Sequence, residues 1–111
     1  VLGAVLEGMN PADKPVAGPQ NEPMMPIAWT RTYQLDGGSR GQAFTTTMGA
    51  ATDLQSQGVR RLLVNAAYWC TGLADKIAPS ADVDLVGAYN PTWFKFNGYV
   101  KGLRPVDFAM Q

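Results

Sequence analysis

Residues 26–72, PIAWTRTYQLDGGSRGQAFTTTMGAATDLQSQGVRRLLVNAAYWCTG, decide the fold. From Pro26 to Tyr33 the side chains alternate, with Ile27, Trp29, Arg31 and Tyr33 on one face and Ala28, Thr30 and Thr32 on the other. That period of two predicts a strand, and Pro26 stands at its first position, where a missing N–H costs least. Asp36-Gly37-Gly38 is turn chemistry, because glycine accepts the positive φ that tight turns need. Gln42–Met48, rich in Phe and Thr, predicts the return strand. The two runs (26–34 and 41–48) form an antiparallel hairpin.

After Gly49 the period changes. Val59, Leu62, Leu63, Ala66, Ala67 and Cys70 recur at steps of three and four, which predicts one long helix over about 54–71 with that stripe against the hairpin. Trp69 and Tyr68 flank the stripe. Thr52, Asp53 and Ser56 are competent N-caps, and Gly72 is placed as the residue beyond the C-cap. On this pattern Cys70 is a small apolar residue, buried near the helix end.

Working outward, residues 1–7 are aliphatic and read as a strand, with Gly3 as a bulge or close-packing point. Residues 8–25 carry Gly8, Pro11, Pro15, Gly18, Pro19 and Pro23, which makes a long connection that covers something or borders a site. DVDLVGAY (82–89) reads as a further short strand. The remainder, NPTWFKFNGYVKGLRPVDFAMQ, is too apolar for a freely disordered tail and reads as an extended aromatic arm.

Composition removes many chemistries. The 111 residues suit one small domain, and nine basic residues balance nine acidic ones, so nothing favours nucleic acid or an anionic membrane. No apolar run reaches a membrane span. There is no His and one Cys, which leaves neither the commonest general base nor a zinc-ligand set, and no cofactor is expected. The apolar start at Val1 lacks the basic opening of a signal peptide and suits a fragment of something longer.

PMMPIAWTRTYQ (23–34), GGSRGQAFTTTMGAATD (37–53) and GVRRLLVNAAYWCTGL (58–73) together resemble the ThuA-like family, named for trehalose utilisation, of the class I glutamine-amidotransferase-like α/β fold. The tail DLVGAYNPTWFKF is similar to environmental bacterial members. The resemblance implies an α/β domain of about twice this length, of which residues 1–73 match the carboxy-terminal half and 74–111 form an extended arm. It also implies a link to sugar utilisation. Many relatives have Gly-His where this chain has Gly49-Ala50, and a chain without His carries no Cys–His–Glu triad, so amidotransferase chemistry does not transfer. A half-domain leaves apolar sheet and an unpaired strand edge exposed, and a homo-oligomer is expected.

Three places carry candidate sites. Met48–Asp53 lies at the carboxyl end of a strand and before a helix, where ligands bind in open α/β sheets; Gly49, Thr52 and Asp53 are its polar and backbone contributors, and Thr52 and Asp53 serve equally as caps. Trp29 and Arg31 share a strand face with Tyr33. Trp29 stacks on a small saccharide or sits in the core, with Arg31 paired to Glu7 or Asp53. Trp93, Phe94, Phe96 and Tyr99 make either a carbohydrate surface or a latch onto a hydrophobic groove. Arg60-Arg61 reads as a solvated helix edge before a phosphate clamp. Asp82 and Asp84 are too few for a metal site.

Overall fold

In the computed structural model, which describes residues 1–8, 10 and 12–109, the chain is a small α+β fold with two two-stranded antiparallel sheets and one α-helix. β1 (Leu2–Gly3) pairs with β2 (Met25–Pro26), and β3 (Ala28–Gln34) pairs with β4 (Arg40–Thr46). Helix α1 runs from Gln57 to Cys70. Pro11, one of the breakers of the 8–25 connection, lies outside the described residues, as do the last two of the arm.

The hairpin register follows from its turn. Gly38 N–H donates to the Leu35 carbonyl at 3.0 Å, and Gly37 sits at φ 69°, a conformation that side-chain-bearing residues avoid. This sets Trp29 opposite Thr45, Arg31 opposite Ala43 and Tyr33 opposite Gly41. Gly41 is glycine for a local reason as well: a Cβ there would overlap the Tyr33 ring lying across it.

Ile27 is the joint between the two sheets. Its N–H donates to the Val1 carbonyl and its carbonyl accepts from Thr47 N–H, each at 3.0 Å, so the chain crosses from one ladder to the other with its backbone satisfied. Gly3 is the close-packing point: a Cβ there would come within 2.7 Å of Ile27 Cγ2. Only residues 2–3 of the expected 1–7 strand are in a ladder. Farther on, Leu6 bridges Pro15, Glu7 N–H donates to the Lys14 carbonyl and Val16 N–H to the Val5 carbonyl. Asn21 ties this loop together, accepting from Val5 N–H at 2.7 Å and donating to the carbonyls of Val5 and Val16.

The helix ends as its sequence predicts. Leu73 N–H donates to the Tyr68 carbonyl (2.8 Å) and Gly72 N–H to that of Trp69 (3.1 Å), with Gly72 at φ 79°, which is the paired-bond ending that glycine favours. At the other end the expected start near 54 is a separate 3-10 turn, Ala51–Gln55, and Ser56 separates the two in extended conformation.

α1 lies against β4. Residues opposite one another in a ladder share a face, so the Gln42 amide beside the Trp69 indole and carbonyl shows which face meets the helix. With its oxygen toward the indole, that amide accepts from Trp69 Nε1 at 3.3 Å and donates to the Trp69 carbonyl at 2.6 Å. Ala28, Thr30 and Thr32 therefore look to the helix side, and Trp29, Arg31 and Tyr33 look away.

Burial is shallow. Among the described residues, Ala28 (3% exposed) and Val83 (6%) are the buried apolar ones, while Val59–Ala66 are half-buried along the helix. Cys70, expected to be buried, is exposed, and so is Ala67: in the last turn of α1 it is the half-buried Trp69 that meets Gln42 of β4. Trp29 is not core either. It is 44% exposed on the uncovered hairpin face, and Arg31 forms no ion pair with Glu7, Asp53 or any other acid among the described residues.

The segment 82–89 is not a strand. Asp82 Oδ1 accepts from Asp84 N–H at 2.9 Å, a local turn bond that diverts the backbone from a ladder. From there the chain runs out as an irregular arm, with Phe94 and Phe96 edge to face at 4.9 Å and a closing 3-10 turn at Pro105–Phe108.

Candidate functional site

The loop after β4 is shaped by Asp53. Its Oδ2 accepts from Gly49 N–H and from Ala50 N–H, both at 3.0 Å, and its own N–H donates to the Ala50 carbonyl at 2.9 Å. The first free amides of the turn are thus spent on a carboxylate of the same chain, which is capping chemistry. Asp53 Oδ1 accepts nothing from the described residues.

Downstream segments are drawn onto this turn by side chains that reach across. Arg60 Nε donates to the Val83 carbonyl at 2.6 Å, and Arg60 Nη1 donates to the carbonyls of Leu54 (2.8 Å) and Gln55 (2.9 Å). Arg61 Nη1 donates to the Ala81 carbonyl at 2.9 Å. Tyr89 completes the set, its hydroxyl donating to the Ala51 carbonyl at 2.6 Å. Arg60 and Arg61 are therefore neither a solvated edge nor a phosphate clamp. They fasten 81–83 and the 3-10 turn to α1.

Because Tyr89 holds the start of the arm at Ala51, the next residues fall across the same turn. The result is an open cleft of about 1170 Å³. One wall is Met48 and Ala50–Asp53, continued by Gln55, Ser56 and Val59; the other is Thr92, Trp93 and Phe94, with Asn10 at the margin. The lining surface is mainly apolar, with Asn10, Thr52, Asp53, Gln55, Ser56 and Thr92 as hydrogen-bonding groups and Asp53 as the one charge. Trp93 remains 62% exposed, so its ring is available to a ligand.

Of the expected site residues, Thr52 and Asp53 line the cleft, and Gly49 adjoins it with open space where a Cβ would be. Trp29 and Arg31 do not line it. The structure instead joins two stretches that the sequence presents separately, the 48–53 loop and the Trp93 segment, through the Tyr89 hydroxyl. No local pattern marks that tether. Among the described residues there is no cluster of His, Cys, Asp and Glu able to hold a metal ion, and no helix long and apolar enough to cross a membrane. No protein-family model, curated protein or solved structure matches the chain.

Proposed function

We propose that this chain is a ThuA-like unit connected with sugar utilisation, which binds a small polyol or saccharide in the cleft between the 48–59 turn and the aromatic arm. The observation that carries this reading is the placement of Trp93 opposite Thr52 and Asp53 in one cleft. An indole presents a flat apolar surface to the C–H face of a sugar ring. Around it, Asp53 Oδ1, the Thr52 hydroxyl and the amides of Gln55 and Asn10 supply the few directional groups that such a site needs. The role is binding rather than turnover.

The test is tryptophan fluorescence titrated with trehalose and glucose. Saturable quenching is expected for the wild type and for Trp29→Phe, and its loss is expected in Trp93→Ala. If quenching survives in Trp93→Ala and disappears in Trp29→Phe, the sugar sits on the hairpin face and the cleft reading fails.

A second reading, self-assembly, is favoured by a different observation. The chain exposes 9398 Å², where a compact protein of 11.9 kDa exposes about 6000 Å². Its radius of gyration is 17.7 Å, against about 13 Å for a compact domain of this length. The excess surface exceeds what each partner contributes to an obligate dimer interface. In this reading a homo-oligomer covers the side chains that one copy leaves in solvent.

A further inference from the structure

Resting on that second reading, we infer that the free edge of β3 is the self-association surface, and that two copies join β3 to β3 antiparallel with Thr32 on the two-fold axis. Ladder geometry carries the inference. In an antiparallel pair, successive residues turn their N–H and C=O alternately toward the partner strand and away from it. Ile27 splits its groups, the carbonyl toward Thr47 and the N–H toward Val1, but from Ala28 onward the β3–β4 register is regular, so Trp29, Arg31 and Tyr33 spend their backbone groups on β4. The even-numbered residues turn theirs outward. Ala28 bears this out: its N–H donates to the Val1 carbonyl (3.4 Å) and its carbonyl accepts from the Val1 amino group (2.8 Å). Beyond Ala28, the outward groups of Thr30, Thr32 and Gln34 have no partner among the described residues, and all three residues are exposed. Helix α1 lies against β4, and although its last residues, Cys70 to Gly72, border a small pocket shared with Thr32, Thr32 itself stays exposed.

An edge with unspent donors and acceptors is a template for another strand. The occupant that the side chains fit is a second copy. With Thr32 opposite Thr32, the opposed pairs 30–34, 32–32 and 34–30 each exchange two backbone hydrogen bonds. On the uncovered face the same register sets Arg31 against Tyr33 of the second copy and Trp29 against Leu35. These are a cation over an aromatic ring and an apolar pair, all four from residues that are exposed in one copy. Sliding each strand to put Arg31 on the axis sets two guanidinium groups directly opposite, which is repulsive. Centring on Thr30 runs into Val1, which already occupies the Ala28 groups. Of these three registers, the one centred on Thr32 satisfies both the backbone and the charges. It turns two separate hairpins into one four-stranded sheet, with the Trp29–Arg31–Tyr33 face continuous across the axis.

The experiment is directed disulfide formation together with mass in solution, on the full chain. Cys70→Ser removes the exposed native thiol from the assay. In that background Thr32→Cys is expected to form a disulfide-linked dimer on mild oxidation, since opposed Cα atoms of a bonded pair stand about 5.5 Å apart, within disulfide reach. Thr30→Cys, opposite Gln34, is expected to form none. Thr32→Pro removes an outward N–H without touching a β3–β4 bond, and it is expected to convert a dimeric wild type to a monomer that keeps its helical circular dichroism. A wild-type dimer with no Thr32→Cys cross-link, or with Thr30→Cys cross-linking as well, overturns the edge and its register while self-assembly stands. A monomeric wild type overturns both.

Discussion

From Ile27 to Leu73 the backbone is satisfied mainly by itself: by a ladder, a helix and a glycine-ended C-terminus. From Ala74 to Ala109 the chain has no ladder, and what holds it near the rest is the buried Val83 side chain together with Arg60, Arg61 and Tyr89 reaching for single atoms. The first region is built from periodic pattern, so its geometry is over-determined. The second is placed by a handful of long side chains, so its geometry depends on each of them. The cleft lies where the two meet, with one wall taken from each.

That contrast gives graded expectations. The largest effect belongs to Leu63, half-buried in the middle of α1. Leu63→Asp puts a charge among the half-buried apolar side chains of α1, at a cost of about 3 kcal/mol. A helix of 14 residues is marginal alone, so its ellipticity should collapse along with the fold. If helicity survives, α1 does not depend on the hairpin and the comparison fails at its stronger end.

Next is Arg60→Ala, which removes three charge-assisted bonds at once. About 2 kcal/mol of local stability should go, as rapid proteolysis within 84–109 while the helical signal of α1 stays. Equal loss in both regions would mean that they form one cooperative unit. Smallest is Gly72→Ala. A Cβ at φ 79° costs about 1 kcal/mol, and here the loss should appear in global thermal stability without added cleavage of the arm.

These differences also mark how far the sequence could be read. Hairpin and helix were legible because alternation, Asp36-Gly37-Gly38 and the 59–70 stripe all reflect forces acting within a few residues. Gly72 was legible for the same reason. Three expectations failed where distant geometry prevails. Trp29 and Cys70 have apolar patterns that predict burial, but no second layer covers the hairpin face, and in the last turn of α1 it is Trp69 rather than Cys70 that meets β4. The segment 82–89 has strand composition, yet Asp82 bonds Asp84 locally and Arg60 and Arg61 claim the carbonyls of Val83 and Ala81. For the site, Thr52 and Asp53 were legible as a strand-to-helix turn. That Trp93 faces them was not, since a single hydroxyl contact across 38 residues sets it.

The free edge of β3 is the place where the self-satisfied region remains unfinished. Amide hydrogen exchange resolved to single residues, measured at rising protein concentration, tests this most directly. Arg31 and Tyr33, bonded to β4, should be protected at every concentration. Thr30, Thr32 and Gln34 should exchange freely in dilute solution and become equally protected as copies associate. Free exchange of those three at every concentration, with Arg31 and Tyr33 protected throughout, would contradict edge-to-edge pairing.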